Sequence, residues 1–128
     1  MESIGIGLGL VIVSHSKHIA EGVVELISKV AKDVPITYVG GTEGGGIGTS
    51  FDQVDRVVSE NPADTLLAFF DLGSAKMNLK MVTDFSDKSI IINRVPIVEG
   101  AYNAAALLQA GAELSVIQTQ LAELEINK

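Results

Sequence analysis

Cysteine is absent from this sequence. Disulfides, thiol nucleophiles and thiolate metal sites are therefore excluded. Basic residues are scarce: nine Lys and Arg stand against sixteen Asp and Glu, a formal net charge of -7. That balance argues against a nucleic-acid partner, because a phosphate backbone calls for a basic face. It suits basic protein partners, although solubility alone accounts for it as well. Long apolar runs are also missing. The amino-terminal MESIGIGLGLVIV has no basic leader and no small-residue cleavage site, and it falls short of the roughly 20 residues that span a bilayer. Residues 1–7 read as a ragged lead-in to a first core strand, and the chain as a cytoplasmic protein with no membrane partner.

What is present is a well-furnished core. Hydrophobic residues make up 47% of the 128, enough for one domain spanning residues 1–128. Residues 7–13 form a strand-like apolar and β-branched run that stops at Ser14-His15-Ser16. A helical stripe follows through Ile19, Val23, Leu26, Ile27 and Val30, with Ser14 or Ser16 as the cap. Residues 36–39 make a second strand, which runs into a glycine-rich loop over residues 40–49. Thr49 or Ser50 caps a second helix, with Phe51, Val54, Val57 and Val58 inward. TLLAFF at residues 65–70 is apolar throughout, as expected of a strand buried on both faces. A third helix carries Met77, Met81, Val82 and Phe85, the two methionines read as core. Residues 89–95 form a fourth strand cut off by Pro96, residues 97–110 a helix, and residues 115–124 a last helix.

Strand and helix alternate about four times over short connections. The pattern predicts an α/β three-layer sandwich: an open, mainly parallel sheet of about four strands flanked by helices. Right-handed crossovers bring all strand carboxyl ends to one edge. Ser14-His15, the 40–49 loop, the 71–74 turn and the 96–100 turn therefore converge there, at the edge where open α/β sheets bind ligands.

A histidine at that edge can accept a phosphoryl group if an acceptor fixes its tautomer. Asp71, at the end of a neighbouring strand, is the expected orienting group. Ser14, Ser16, Thr42, Gly73, Ser74 and the loop amides are candidates for binding phosphoryl oxygens. A lone strand-end histidine is more often structural; the flanking serines, Asp71 and the glycine loops shift the weight to chemistry. Asp71 and Ser74 could also simply cap the third helix. His18, one turn into the first helix, is expected at the surface. The glycine loop lacks the lysine of a P-loop and does not fit G-x-G-x-x-G, so no nucleotide cofactor is expected on this chain. Two histidines three apart with no partner cluster make no metal site.

Four stretches then match one pattern in order: LVIVSHS at residues 10–16, GGTEGGGIGTSFD at 40–52, FFDLGSAKMN at 69–78 and PIVEGAYNAA at 96–105. Together they resemble the phosphotransferase subunits of bacterial phosphoenolpyruvate-dependent dihydroxyacetone kinases, whose domain is similar to the mannose-type enzyme IIA domain. The resemblance implies a phosphohistidine carrier. His15 would take phosphoryl from the histidine-containing phosphocarrier protein and pass it to ADP on a nucleotide-binding kinase subunit, with Asp71 orienting it. ADP and ATP would reside on that partner. It further implies a homodimer with a mixed sheet core. Carrier domains fused in some relatives are expected here as separate proteins, and helix after Gly111 argues against strand exchange between protomers. Two other readings remain: a mannose-type sugar IIA component that passes phosphate to a IIB protein, and a non-catalytic α/β regulatory module. A receiver-like module would need acidic residues after the first strand, where Ser-His stands.

Overall fold

The computed structural model describes residues 7–128; most of the expected lead-in over residues 1–7 lies outside them. Four strands, β1 (Leu8–Ser14), β2 (Ile36–Gly40), β3 (Thr65–Phe70) and β4 (Ser89–Asn93), form one sheet in the order β2-β1-β3-β4. Every pairing is parallel, so the described sheet is wholly parallel where the resemblance implied a mixed one. Five helices follow the strands: α1 (Lys17–Ser28), α2 (Phe51–Glu60), α3 (Gly73–Phe85), α4 (Ile97–Gln109) and α5 (Leu114–Ala122).

Alternation along the strands builds the three layers. Leu10, Ile12, Leu67 and Phe69 face α1, α4 and α5, whereas Val11, Val13, Leu66, Ala68 and Phe70 face α2 and α3. Each large aliphatic or aromatic side chain so buried contributes on the order of 1.5–3 kcal/mol. From β1 the chain turns one way to β2 through α1, then crosses back over β1 through α2 to reach β3. The order thus reverses between β1 and β3, the switch point at whose carboxyl ends open α/β sheets bind ligands. Among the described residues no helix is long and apolar enough to cross a membrane.

Several element details differ from expectation. β4 ends at Asn93 instead of residue 95, because the Asn93 amide turns back to donate to the carbonyls of Ala68 and Ile91. Val95 instead packs into the core. Met77 and Met81 are exposed, not core, as is Phe85. The buried face of α3 is Ala75, Leu79 and Val82, and the methionines lie roughly 100–160° around the helix from those residues. Phe85 packs edge-on against Phe51 with ring centroids 6.1 Å apart. Likewise Ala20, Val23 and Ile27 form the inward stripe of α1, which leaves Ile19 and Leu26 on its exposed flanks.

Gly40 shows how tightly β2 is seated under α1. A Cβ there would lie 2.7 Å from the Lys17 Cα and 2.8 Å from the Ala20 Cβ, and would collide with the Ser16 carbonyl. Most of that is backbone, which cannot rotate away. Gly40→Ala is therefore expected to destabilise the domain by about 1–3 kcal/mol, as overpacking does, read as a lower urea midpoint with an unchanged slope. A wild-type midpoint would mean that α1 gives way freely.

Candidate functional site

The site is assembled by strand register. Val13 pairs with Phe70 across β1 and β3, so Ser14, the last residue of β1, and Asp71, the first beyond β3, stand side by side. His15 and Leu72 follow where the two chains turn toward α1 and α3. Side chains 56 residues apart are thereby placed in contact at the topological switch point.

Asp71 is the hub. Its Oδ2 accepts from the Ser14 hydroxyl at 2.6 Å and from the His15 backbone N–H at 3.0 Å. Its Oδ1 accepts from His15 Nδ1 at 2.9 Å and from the Leu72 N–H at 2.7 Å. Burial raises the carboxyl pKa. The hydrogen bonds from Ser14, the His15 ring, the His15 backbone and the Leu72 backbone outweigh that and hold it below the ordinary carboxylate value. Asp71 is thus set up as an anion.

That anion fixes the histidine. With Nδ1–H donating to Asp71, the neutral imidazole carries its lone pair on Nε2. Nε2 faces the Ser74 hydroxyl within hydrogen-bonding reach, and the hydroxyl donates to it. The His15 side chain is only 14% exposed and that of Asp71 12%, so the ring is largely walled in, with Nε2 against the exposed Ser74. His18 is exposed on α1, as expected.

The remaining candidates divide by geometry. Ser14 is buried, and its hydroxyl donates to Asp71 while accepting from the Ser16 N–H. Ser16 caps α1, accepting from the Ile19 N–H at 3.3 Å. Thr42 closes its own loop, accepting from the Gly46 N–H at 3.1 Å. Gly73 and Ser74 open α3, and as its first two residues their N–H groups have no acceptor in the preceding turn, whereas the Ala75 N–H donates to the Leu72 carbonyl at 3.0 Å. Neither Asp71 nor Ser74 caps α3; Leu72 occupies that position, without a side-chain bond. The glycine loop is tied to the site through main chain: Gly41 N–H donates to the Ser14 carbonyl and Gly48 N–H to the His15 carbonyl, at 3.2 and 2.9 Å. Positive φ angles at Gly41, Gly45 and Gly48 allow that path. The 96–100 turn shares the sheet edge, but no hydrogen bond among the described residues links it to this cluster; Gly100 instead gives Val95 and Phe69 room to pack.

Two contributors escape sequence reasoning. Asn78, one residue of the third matched stretch, donates to the Thr49 hydroxyl at 2.8 Å and ties α3 to the end of the glycine loop. Lys128 reaches the carbonyls of Phe70 and Asp71. Asn78 falls within a matched stretch but nothing local gives its partner, and Lys128 carries no local signal until the fold places it. Among the described residues, no group of three or more His, Asp or Glu is arranged to hold a metal ion.

Comparison with known proteins gives the chain a family. The family described as PTS system fructose IIA component matches residues 9–118. The phosphotransferase subunit DhaM of the PTS-dependent dihydroxyacetone kinase of Lactococcus lactis subsp. lactis is 54% identical over 120 residues, covering 94% of this chain and 98% of that protein. The phosphoryl donor subunit DhaM of PEP-dependent dihydroxyacetone kinase 1 of Listeria innocua is 50% identical over 118 residues, covering 92% and 95%. The crystal structure of EF1359, a protein of unknown function, superposes with a TM-score of 0.82 at 26% identity over 94% of this chain and 97% of that one.

Proposed function

Because this chain belongs to the PTS system fructose IIA component family, and is half identical to DhaM subunits along nearly its whole length, we propose that it is the phosphoryl donor subunit of a phosphoenolpyruvate-dependent dihydroxyacetone kinase. The observation that carries the chemistry is the His15 imidazole held through Nδ1 by Asp71, which leaves Nε2 against the Ser74 hydroxyl. His15 is the carrier residue and Nε2 the atom that takes the phosphoryl group.

Transfer in runs as follows. The Nε2 lone pair attacks phosphorus on the charged histidine-containing phosphocarrier protein. The new N–P bond forms as the donor's N–P bond breaks, and the donor imidazole keeps that electron pair. The His15 ring becomes a phosphorylated imidazolium, with its Nδ1 proton still in place. Asp71, already ionised, offsets the positive charge where it develops. Ser74 gives up its bond to Nε2 and turns its O–H to a phosphoryl oxygen. The first-turn amides of Gly73 and Ser74 lie at the positive end of α3, which favours the incoming anion. Ser16 and Thr42 accept in their local bonds and retain protons to donate. We assign Ser14 to holding Asp71. Transfer out reverses the steps: an ADP phosphate oxygen on the nucleotide-binding kinase subunit attacks phosphorus, and Nε2 recovers its lone pair.

In this reading the domain spans residues 1–128, works in the cytoplasm as a homodimer, and binds no nucleotide itself. The test uses purified components. Phosphoenolpyruvate, enzyme I and the phosphocarrier are expected to load one acid-labile, base-stable phosphate per chain, which the ADP-loaded kinase subunit then discharges. Discharge only by a IIB protein would overturn the kinase assignment in favour of sugar uptake. Failure to load would overturn the carrier role altogether and leave a regulatory module.

A further inference from the structure

The segment after α5 runs back to the site. From Ala122 the chain passes the end of β4, where the Ile126 N–H donates to the Arg94 carbonyl at 2.8 Å and Glu125 pairs with Arg94 at 3.6 Å. It arrives beside the first turn of α3. There the Lys128 carbonyl accepts from the Lys76 ammonium at 2.8 Å. The Lys128 ammonium lies 4.4 Å above the centre of the Phe70 ring and donates to the carbonyls of Phe70 at 2.6 Å and Asp71 at 3.2 Å.

The position of these bonds gives them their importance. β4 stops at Asn93, opposite Phe69, so Phe70 and Asp71 run on past the end of the neighbouring strand. Main-chain carbonyls left there would have to be satisfied by water or a side chain. Lys128 supplies a charged donor to both, and charge-assisted bonds are roughly twice as strong as neutral ones. The same two peptide units fix the direction in which the Asp71 carboxylate projects toward His15. The ammonium also attracts that carboxylate, although burial is the larger influence and draws the lysine pKa below its ordinary value.

We infer that Lys128 is a positioning residue for phosphoryl transfer: through the Phe70 and Asp71 carbonyls it locks the turn that aims Asp71 at His15 Nδ1. The inference rests on the carrier reading above, and its test is arranged so that the two fail separately. In Lys128→Met, the maximal rate of His15 loading from the charged phosphocarrier should fall roughly tenfold, the scale of a small misplacement in a reacting geometry. The donor concentration at half-maximal rate should stay unchanged. Carbon NMR should show the Asp71 carboxyl titrating at higher pH than in wild type, and nitrogen NMR should show a weakened Nδ1–H signature at His15. Lys128→Arg, which keeps a cation able to donate to two carbonyls, should restore the rate and both spectra. The NMR measurements need no phosphoryl donor. If wild type does not load while the spectra shift as described, the carrier reading falls and the positioning role stands. If Lys128→Met leaves the spectra and the maximal rate at wild-type values, or if its rate loss is not rescued by Lys128→Arg, the positioning role is overturned. Thermal melting of each variant separates loss of the turn from loss of the fold.

Discussion

His15→Ala is expected to take up no acid-labile phosphate from the charged phosphocarrier, while remaining folded. Removal of the nucleophile leaves no other group to form the N–P bond, and losses of roughly 10⁶-fold are the scale for deleting such a residue. The fold should survive because the His15 contributions to the sheet edge are largely main chain. Its N–H still donates to Asp71, and its carbonyl still accepts from Gly48. Ser14 and Leu72 continue to hold the carboxylate. His18→Ala should load at the wild-type rate, since that ring is exposed on α1. Gel-resolved labelling followed by acid treatment reads both variants. Phosphate retained on His15→Ala and lost from His18→Ala would move the carrier by one helical turn.

Asp71→Asn carries the second large effect, and the reason is a count of donors. Four donors converge on the carboxylate, two on each oxygen. An amide presents one oxygen and an NH2, so two donors would face a third donor whichever way it is turned. The ring would be released to the other tautomer, with Nε2 protonated and unable to attack. Loading is expected to slow by roughly 10² to 10⁴-fold, the loss that follows when the carboxylate orienting a catalytic histidine is replaced by an amide. Stability should fall by about 1–3 kcal/mol for the unsatisfied donors.

The pH dependence of that stability has a definite sign. The unfolded carboxyl titrates at its ordinary value of 3.8, and the folded one lies below it. A depressed carboxyl contributes stability that is complete above the unfolded value and lost as pH falls through the folded value. The difference in urea midpoint between wild type and Asp71→Asn should therefore be constant from neutrality down to about pH 5 and shrink below pH 4. A difference that grows on acidification would show that Asp71 is protonated in the native state.

The sequence announces the central strands and the chemistry-bearing turns because both are local patterns. TLLAFF is apolar at every position, as only a strand covered on both faces can be, and it is found at Thr65–Phe70. Ser16 and Ser50 declare their helices through side-chain caps that depend on neighbours three residues away. The approach of Asp71 to His15 could be anticipated only as convergence on one edge; the register of β1 on β3 makes it a contact. Exposure on α3 misled for a related reason. Methionines at helical spacing look like a core stripe until Ala75, a small residue with little hydrophobic signal, proves to lie on the inward face. Ser14 reads as a phosphoryl ligand by adjacency, whereas burial turns its hydroxyl toward Asp71. Lys128 had no signal, since its partners lie 57 and 58 residues away.

The pairing of β1 with β3 has a consequence for how the protein comes into service. His15 and Asp71 sit two residues and one residue beyond Val13 and Phe70, the last matched pair of the central ladder. Helix α1, strand β2, the glycine loop and α2 all lie between them along the chain. Closing so long an intervening loop is among the slower and costlier contacts a domain makes. A chain in which the central ladder has not zipped to its end possesses the histidine but not the carboxylate contact at its Nδ1. In the proposed carrier role, reactivity is therefore a property of the completed sheet, and a phosphoryl donor meeting a half-folded chain would find an imidazole with no carboxylate to orient it.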